Sequence, residues 1–262
     1  MNNSAPTQDH TPQPDVMDVL VIGWMVIGIS LLSGSLWEEW AGKAEYLLNH
    51  LLLLIFVIGY LIIRRFRVVR VMRWRPVPQS YWQPGLGMTL GAVVILDEID
   101  RLVGVIMPLP PEFLEQIKSA YTPGTVMDVF WLVAGIGILA PIVEESLFRG
   151  FIQQVLERKW DTTKGVLITS FIFTTIHLNP YWAIQLLIMS VLMGYLAWRW
   201  NSVIPAIMIH AGNNLWSLGL LILADTTICE IYVWHGHVNP LVLALAGFIF
   251  WKGFEAINKI QL

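Results

Sequence analysis

Glu144-Glu145-Ser146-Leu147-Phe148-Arg149-Gly150 follows directly on the apolar run 126–143. Two adjacent carboxylates and a guanidinium are costly to keep at membrane depth, and ionisable groups there mark a functional site by default. On a helix Glu145 and Arg149 stand four apart and share a face, so they can pair. Glu144 then points about 100° away. One carboxylate is held by a cation and the other is left for chemistry. A carboxylate kept out of bulk water suits a general base that later returns its proton.

Two more polar insertions follow in equally apolar surroundings: Phe173-Thr174-Thr175-Ile176-His177 and His210-Ala211-Gly212-Asn213-Asn214. His210 and Asn214 are again four apart, which puts an imidazole and a carboxamide on one helical face.

The elements that must position these residues are membrane helices. The chain has 262 residues, 56% hydrophobic and 13% charged, with a formal net charge of -3 and a mean hydropathy of +0.62. Such a composition describes a polytopic membrane protein. No basic patch with interleaved aromatics is present, so nucleic acid is not an expected partner. Cys229 is the single cysteine, which excludes an intramolecular disulfide framework and any multi-cysteine metal site.

Crossing a ~30 Å hydrocarbon core takes about 20 helical residues. Apolar stretches suited to that lie at 16–36, 46–63, 126–151, 164–178, 182–198, 203–224 and 241–254, with an eighth at 84–107 whose centre carries Asp97, Glu98, Asp100 and Arg101. Asp97 and Arg101 are expected to pair at i,i+4, with a role for the cluster in a polar cavity as the alternative, and Pro108, Pro110 and Pro111 to end that helix. Residues 1–15 read as a disordered tail, 16–115 as three N-terminal transmembrane helices, 116–224 as a catalytic core of helices four to seven, and 225–262 as an outer loop and an eighth helix. The fold class is therefore all-α, with about eight transmembrane helices around a polar cavity expected to open to the cytoplasmic side.

Arg64, Arg65, Arg67, Arg70, Arg73 and Arg75 lie between the second and third spans, which marks that loop as cytoplasmic. Eight spans then place both termini inside, with Arg158, Lys159, Lys164, Arg199, Lys252 and Lys259 on the same side. The opposite side keeps Lys43 and Lys118, with Arg101 near it. Short loops and a lean N-terminus point to a bacterial plasma membrane.

Spans four and five form a hairpin turning near 158–163. Glu144 and His177 are equidistant from that turn, roughly 20 Å of helix away, and His210 lies roughly 15 Å into its helix. Three helices thus bring Glu, His and His with Asn to a similar depth.

The set Glu144, Glu145 and Arg149, then Phe173 and His177, then His210 and Asn214, on successive helices, resembles the CPBP family of intramembrane proteases. That family includes the type II CAAX prenyl endopeptidases and bacteriocin-processing or self-immunity proteins. The resemblance covers about 115–220. It implies that Glu144 activates a water with help from His177 and that His210 and Asn214 steady the developing oxyanion. A neutral imidazole and a carboxamide are suitable donors for that purpose. Glu145 and Arg149 would support Glu144, and Phe173 would pack beside His177. The substrate would be a membrane-embedded or lipidated peptide or protein.

A catalytic metal such as zinc, held by Glu144, His177 and His210, stays open on the ligand types. Against it, no His-Glu-x-x-His occurs on one helix. His10, His50, His235 and His237 read as lying in the tail, span ends or outer loop. The alternative function is a non-catalytic self-immunity or membrane scaffold protein of the same family. A transporter is disfavoured because no internal repeat is evident.

Overall fold

The computed structural model describes residues 12–37, 40–224 and 226–261. Residues 1–11 of the expected tail, with His10, lie outside the described residues. All eight apolar stretches are helical. They form α1 (Val16–Trp37), α2 (Glu45–Ile63), α3 (Trp82–Ile106), α5 (Val126–Lys159), α6 (Thr162–Ile176), α7 (Ala183–Trp200), α8 (Ile204–Ile222) and α10 (Pro240–Lys259). Short helices α4 (Pro111–Tyr121) and α9 (Thr227–Tyr232) lie between them, with a single helical turn at Val68–Val71, and a small hairpin pairs β1 (Val233–Trp234) with β2 (His237–Val238).

The protein is an all-α polytopic membrane protein. Five of its helical runs are long and apolar enough to cross a membrane: Val16–Ser33, Gly42–Ile63, Val126–Lys159, Ala183–Trp200 and Pro240–Lys259. Large apolar side chains on α1 and α10 point away from the bundle, with Leu31 and Leu241 among the most exposed, as lipid contact requires.

Local chemistry sets the boundaries. α5 begins in a capping box: the Thr125 hydroxyl accepts from the Asp128 amide at 3.1 Å, and the Asp128 carboxylate accepts from the Thr125 amide at 2.9 Å. α6 is capped by Asp161, which accepts from the Lys164 amide at 2.8 Å, so the hairpin turns at Trp160 and Asp161, within 158–163. α7 ends at Asn201 in the left-handed region (φ 44°). The prolines after α3 do end it, but Pro111 also occupies the first turn of α4, where a missing N–H costs nothing. α4 is thus a helix additional to those expected from the apolar stretches.

Close approaches fix the packing. A Cβ on Gly91 of α3 would stand 2.5 Å from the Ala246 carbonyl of α10, and one on Gly253 of α10 would stand 2.6 Å from the Pro84 carbonyl. These two helices therefore lie in backbone contact.

One end of the bundle collects the arginine loop, the Trp160–Asp161 turn, the start of α1 and the end of α10. Arg64 pairs with Asp18 at 3.1 Å, Arg158 donates to the Pro14 carbonyl at 3.0 Å, and Arg199 donates to the Ile260 carbonyl at 3.3 Å. Arg73 is more than a topological signal: it is buried, donates to the Arg149 carbonyl at 3.1 Å and pairs with Glu157.

Candidate active site

α5 is one continuous helix that alternates between α and π registers over five stretches, α-helical at Val126–Leu132 and Gln153–Lys159 at its ends. A π-helical stretch (Val133–Leu139) precedes an α-helical turn (Ala140–Glu145), and a second π-helical stretch (Ser146–Ile152) follows. π-Turns of this kind gather at functional sites. Pro141 contributes to the first. The Ala140 amide donates to the Gly135 carbonyl, and residue 141 has no N–H to serve the carbonyl of Ile136. The Asn214 side chain takes that acceptor, donating from Nδ2 to the Ile136 oxygen at 2.9 Å.

Glu145 turns into the core. Its Oε1 accepts from Arg149 at 2.9 Å and from His210 Nδ1 at 2.8 Å, and both charged partners Glu145 and Arg149 are fully buried. Arg149 also donates to the Ser190 hydroxyl at 2.7 Å and lies 4.2 Å over the Phe173 ring. Removing one partner from such a buried pair costs about 3–5 kcal/mol, because the other charge is left uncompensated.

Glu144 faces the other way. Its Oε1 lies 3.2 Å from His50 Nε2 on α2, while Oε2 is buried without a protein hydrogen-bond partner. The other ring nitrogen of His50 is 2.7 Å from the Tyr46 carbonyl. A carbonyl only accepts, so Nδ1 carries the hydrogen. The contact between Nε2 and the carboxylate then needs one further proton, shared between Glu144 and His50. His50 thus belongs to the site, although by sequence it stands at a span end. Its signal was the polar pair Asn49-His50 inside the apolar run of α2. Gly135 makes the approach possible: a Cβ there would lie 2.7 Å from the Leu47 amide nitrogen.

His177 stands at the C-cap of α6, its Nδ1 2.7 Å from the Phe173 carbonyl. By the same logic, neutral His177 presents a bare Nε2. Among the described residues no hydrogen bond joins it to Glu144. His210 donates from Nδ1 to Glu145, so as a neutral ring it also presents a bare Nε2. With Nδ1 turned to Glu145, an N–H at Nε2 of His210 belongs to the doubly protonated ring, beside which the Glu145 carboxylate stands. Asn214 uses one amide hydrogen on Ile136 and keeps the second.

Glu144, His177, His210 and Asn214 all line one cavity of about 420 Å³, together with His50, Tyr46 and Tyr121. Glu145 and Arg149 lie behind its wall. Asp97 and Asp100 also reach it. Asp97 pairs with Arg101 at 2.9 Å, as expected, and accepts from the Tyr232 hydroxyl at 2.7 Å. Glu98 accepts from the Val238 amide at 2.7 Å and faces His237 Nδ1 at 2.8 Å. α4 covers the rim, with Tyr121 stacked on Tyr46 at 5.8 Å and Phe113 at 5.5 Å from Tyr181. Burial pushes the Tyr121 phenol up, with Glu45 adding to the effect, so that group stays a hydrogen-bond donor.

The cavity occupies the half of the bundle away from the arginine loop. Tyr46 and His50 are on the first turns of α2, His177 is at the end of α6, Trp182 precedes α7, and Leu221 is near the end of α8. Toward the arginine loop the bundle is closed by buried Phe148, Phe151, Leu196 and Trp200. The cavity therefore lies at the end of the bundle opposite the arginine loop. His177 stands at the end of α6 away from the Trp160–Asp161 turn.

The histidine tautomers would suit metal ligation, since ligating rings usually donate their second nitrogen to a carboxylate or carbonyl. The positions do not: among the described residues no three His, Cys, Asp or Glu side chains are grouped to hold an ion.

With this geometry in view, residues 126–216 match the family described as type II CAAX prenyl endopeptidase Rce1-like. The matched stretch runs from the start of α5 into α8 and contains all seven motif residues, so the resemblance read from them holds. Curated relatives are more distant. An uncharacterized 24.3 kDa protein of Escherichia coli is 28% identical over 143 residues, 52% of this chain and 61% of that protein. The UPF0177 protein YbdI of Lactococcus lactis subsp. lactis (strain IL1403) is 32% identical over 79 residues, 30% of this chain and 42% of that protein. The chain thus spans less than two thirds of the length of either relative. No solved structure matches it.

Proposed function

We propose that this chain is an intramembrane endopeptidase that cleaves peptide bonds of membrane-associated substrates with a water activated by Glu144. The observation that carries the reading is the cavity itself, onto which α5, α6 and α8 bring Glu144, His177, His210 and Asn214. The family match to 126–216 supports protease chemistry in general.

In this reading a water sits between the unpartnered Oε2 of Glu144 and the bare Nε2 of His177. Glu144 takes one water proton as the oxygen attacks the scissile carbonyl carbon. The carbonyl oxygen becomes an oxyanion, held by the second amide hydrogen of Asn214 and by Nε2–H of protonated His210. When the C–N bond breaks, Glu144 returns the proton to the leaving amine. His50 holds the opposite oxygen of Glu144 and keeps the carboxylate aimed at the water. Because the protein groups are not gathered into a ligand set, no step is routed through a metal ion. Eight crossings with both termini in the cytoplasm of a bacterial cell complete the proposal.

The test is proteolysis by the purified protein in detergent, against a pool of membrane peptides that includes a farnesylated CAAX peptide. Cleavage by wild type that is lost in Glu144→Gln and unaffected by a chelator is the expected outcome. Chelator-sensitive cleavage would replace the glutamate-activated water with metal chemistry. Equal behaviour of wild type and variant would sink the protease reading and favour a protection or scaffold protein.

A further inference from the structure

Two features of the bundle, read together, say which side of the membrane the cavity serves. The first is charge. Apart from Lys43, Arg101, Lys118 and the buried Arg149, every Lys and Arg of the chain lies at or toward the end that carries the arginine loop. Clusters of this kind next to membrane spans stay in the cytoplasm. The second is the placement of the cavity at the opposite end, with packed aromatic and aliphatic side chains closing the route from the arginine end.

We infer that the cavity opens on the non-cytoplasmic face of the membrane, so that its substrates are polypeptides presented from outside: exported peptides, or anchored proteins whose scissile segment lies in the outer half of the bilayer. Cytosolic proteins with lipidated tails approach the closed end. The substrate half of this inference rests on the endopeptidase reading, whereas the sidedness does not.

The geometry agrees in detail. From Glu144 to the end of α5 at Lys159 is roughly 20 Å of helix, most of a ~30 Å hydrocarbon core. At the other end the cavity is lined by Tyr46 and Trp182. α4, whose Phe113 and Tyr121 rings rest on that rim, lies where an arriving chain must pass.

The experiment uses the full-length protein in bacterial cells with Cys229→Ser as background. A single cysteine is placed at Ile228, 65% exposed beside the cavity end, or at Ser80, exposed beside the arginine loop. A membrane-impermeant maleimide should label Ile228→Cys in intact cells and Ser80→Cys only after permeabilisation. The reverse pattern overturns the inference. In parallel, sealed vesicles of the two orientations receive a water-soluble reporter peptide chosen from those that the wild type cleaves in detergent. Cleavage by right-side-out vesicles alone is expected, and cleavage by inside-out vesicles alone overturns the substrate assignment. If detergent-solubilised wild type cleaves nothing, the endopeptidase reading and the substrate class fall together, while the labelling still decides the sidedness.

Discussion

His50 Nε2 lies 3.2 Å from Glu144 Oε1, joining two residues 94 positions apart, with both side chains mostly buried. The partner of the proposed base thus comes from α2, outside the stretch 126–216 that the family match covers.

His50→Ala should therefore lower kcat by roughly 10²-fold, the scale expected when a reacting group loses its aim, with KM unchanged. His50→Gln, whose amide can still donate to Glu144, should recover part of that loss. If His50→Ala cleaves at the wild-type rate, the contact is packing alone. If His50→Gln is no better than alanine, the ring does more than position Glu144.

Gly135 offers a second approach to the same contact. Leucine there would meet the Leu47 backbone and push α2 away from α5. The expected result is a thermal destabilisation of about 1–3 kcal/mol, typical of overpacking, together with a kcat defect like that of His50→Ala. A Gly135→Leu protein with normal stability and turnover would mean the two helices can part without consequence.

The sequence shows some of this directly and hides the rest for physical reasons. Glu145 with Arg149 and His210 with Asn214 were legible because i,i+4 spacing forces a shared face, and the depth of Glu144, His177 and His210 followed from counting residues to a turn. The pairing of His50 with Glu144 was not legible: within α2 the ring meets the Tyr46 carbonyl, and the close approach at Gly135 is what brings it to a carboxylate on another helix. The π-helical stretches of α5 also escaped, because hydrophobic periodicity reports a helix without reporting its hydrogen-bond register. α4 was missed because Pro110-Pro111 ends one helix and starts the next with the same chemistry. Nor does depth measured from one turn say which end of a bundle is packed shut.

Asn214→Ala should reduce kcat by ~10²–10³, the usual loss for one oxyanion donor. The effect should appear in kcat/KM as strongly as in kcat, because the contact forms only as charge develops. A variant that loses only substrate affinity would reassign Asn214 to binding.

Arg149→Leu leaves Glu145 buried against His210 alone and should lower stability in detergent by about 3–5 kcal/mol. Replacing Glu145 and Arg149 together with apolar residues should restore much of it, since no buried charge is left uncompensated. Activity should remain low in the double variant, because His210 loses the carboxylate that balances its protonated form. A double variant with full activity would remove Glu145 from the account of His210.

Pro141 has an influence that reaches beyond its own helix. By lacking an amide hydrogen it leaves the Ile136 carbonyl open, and that opening is the socket in which the Asn214 side chain is seated. Pro141→Ala would return a competing donor at the same spot, letting Asn214 swing away though nothing that touches substrate has been changed. A ring that bonds to nothing thereby sets the aim of a side chain on another helix.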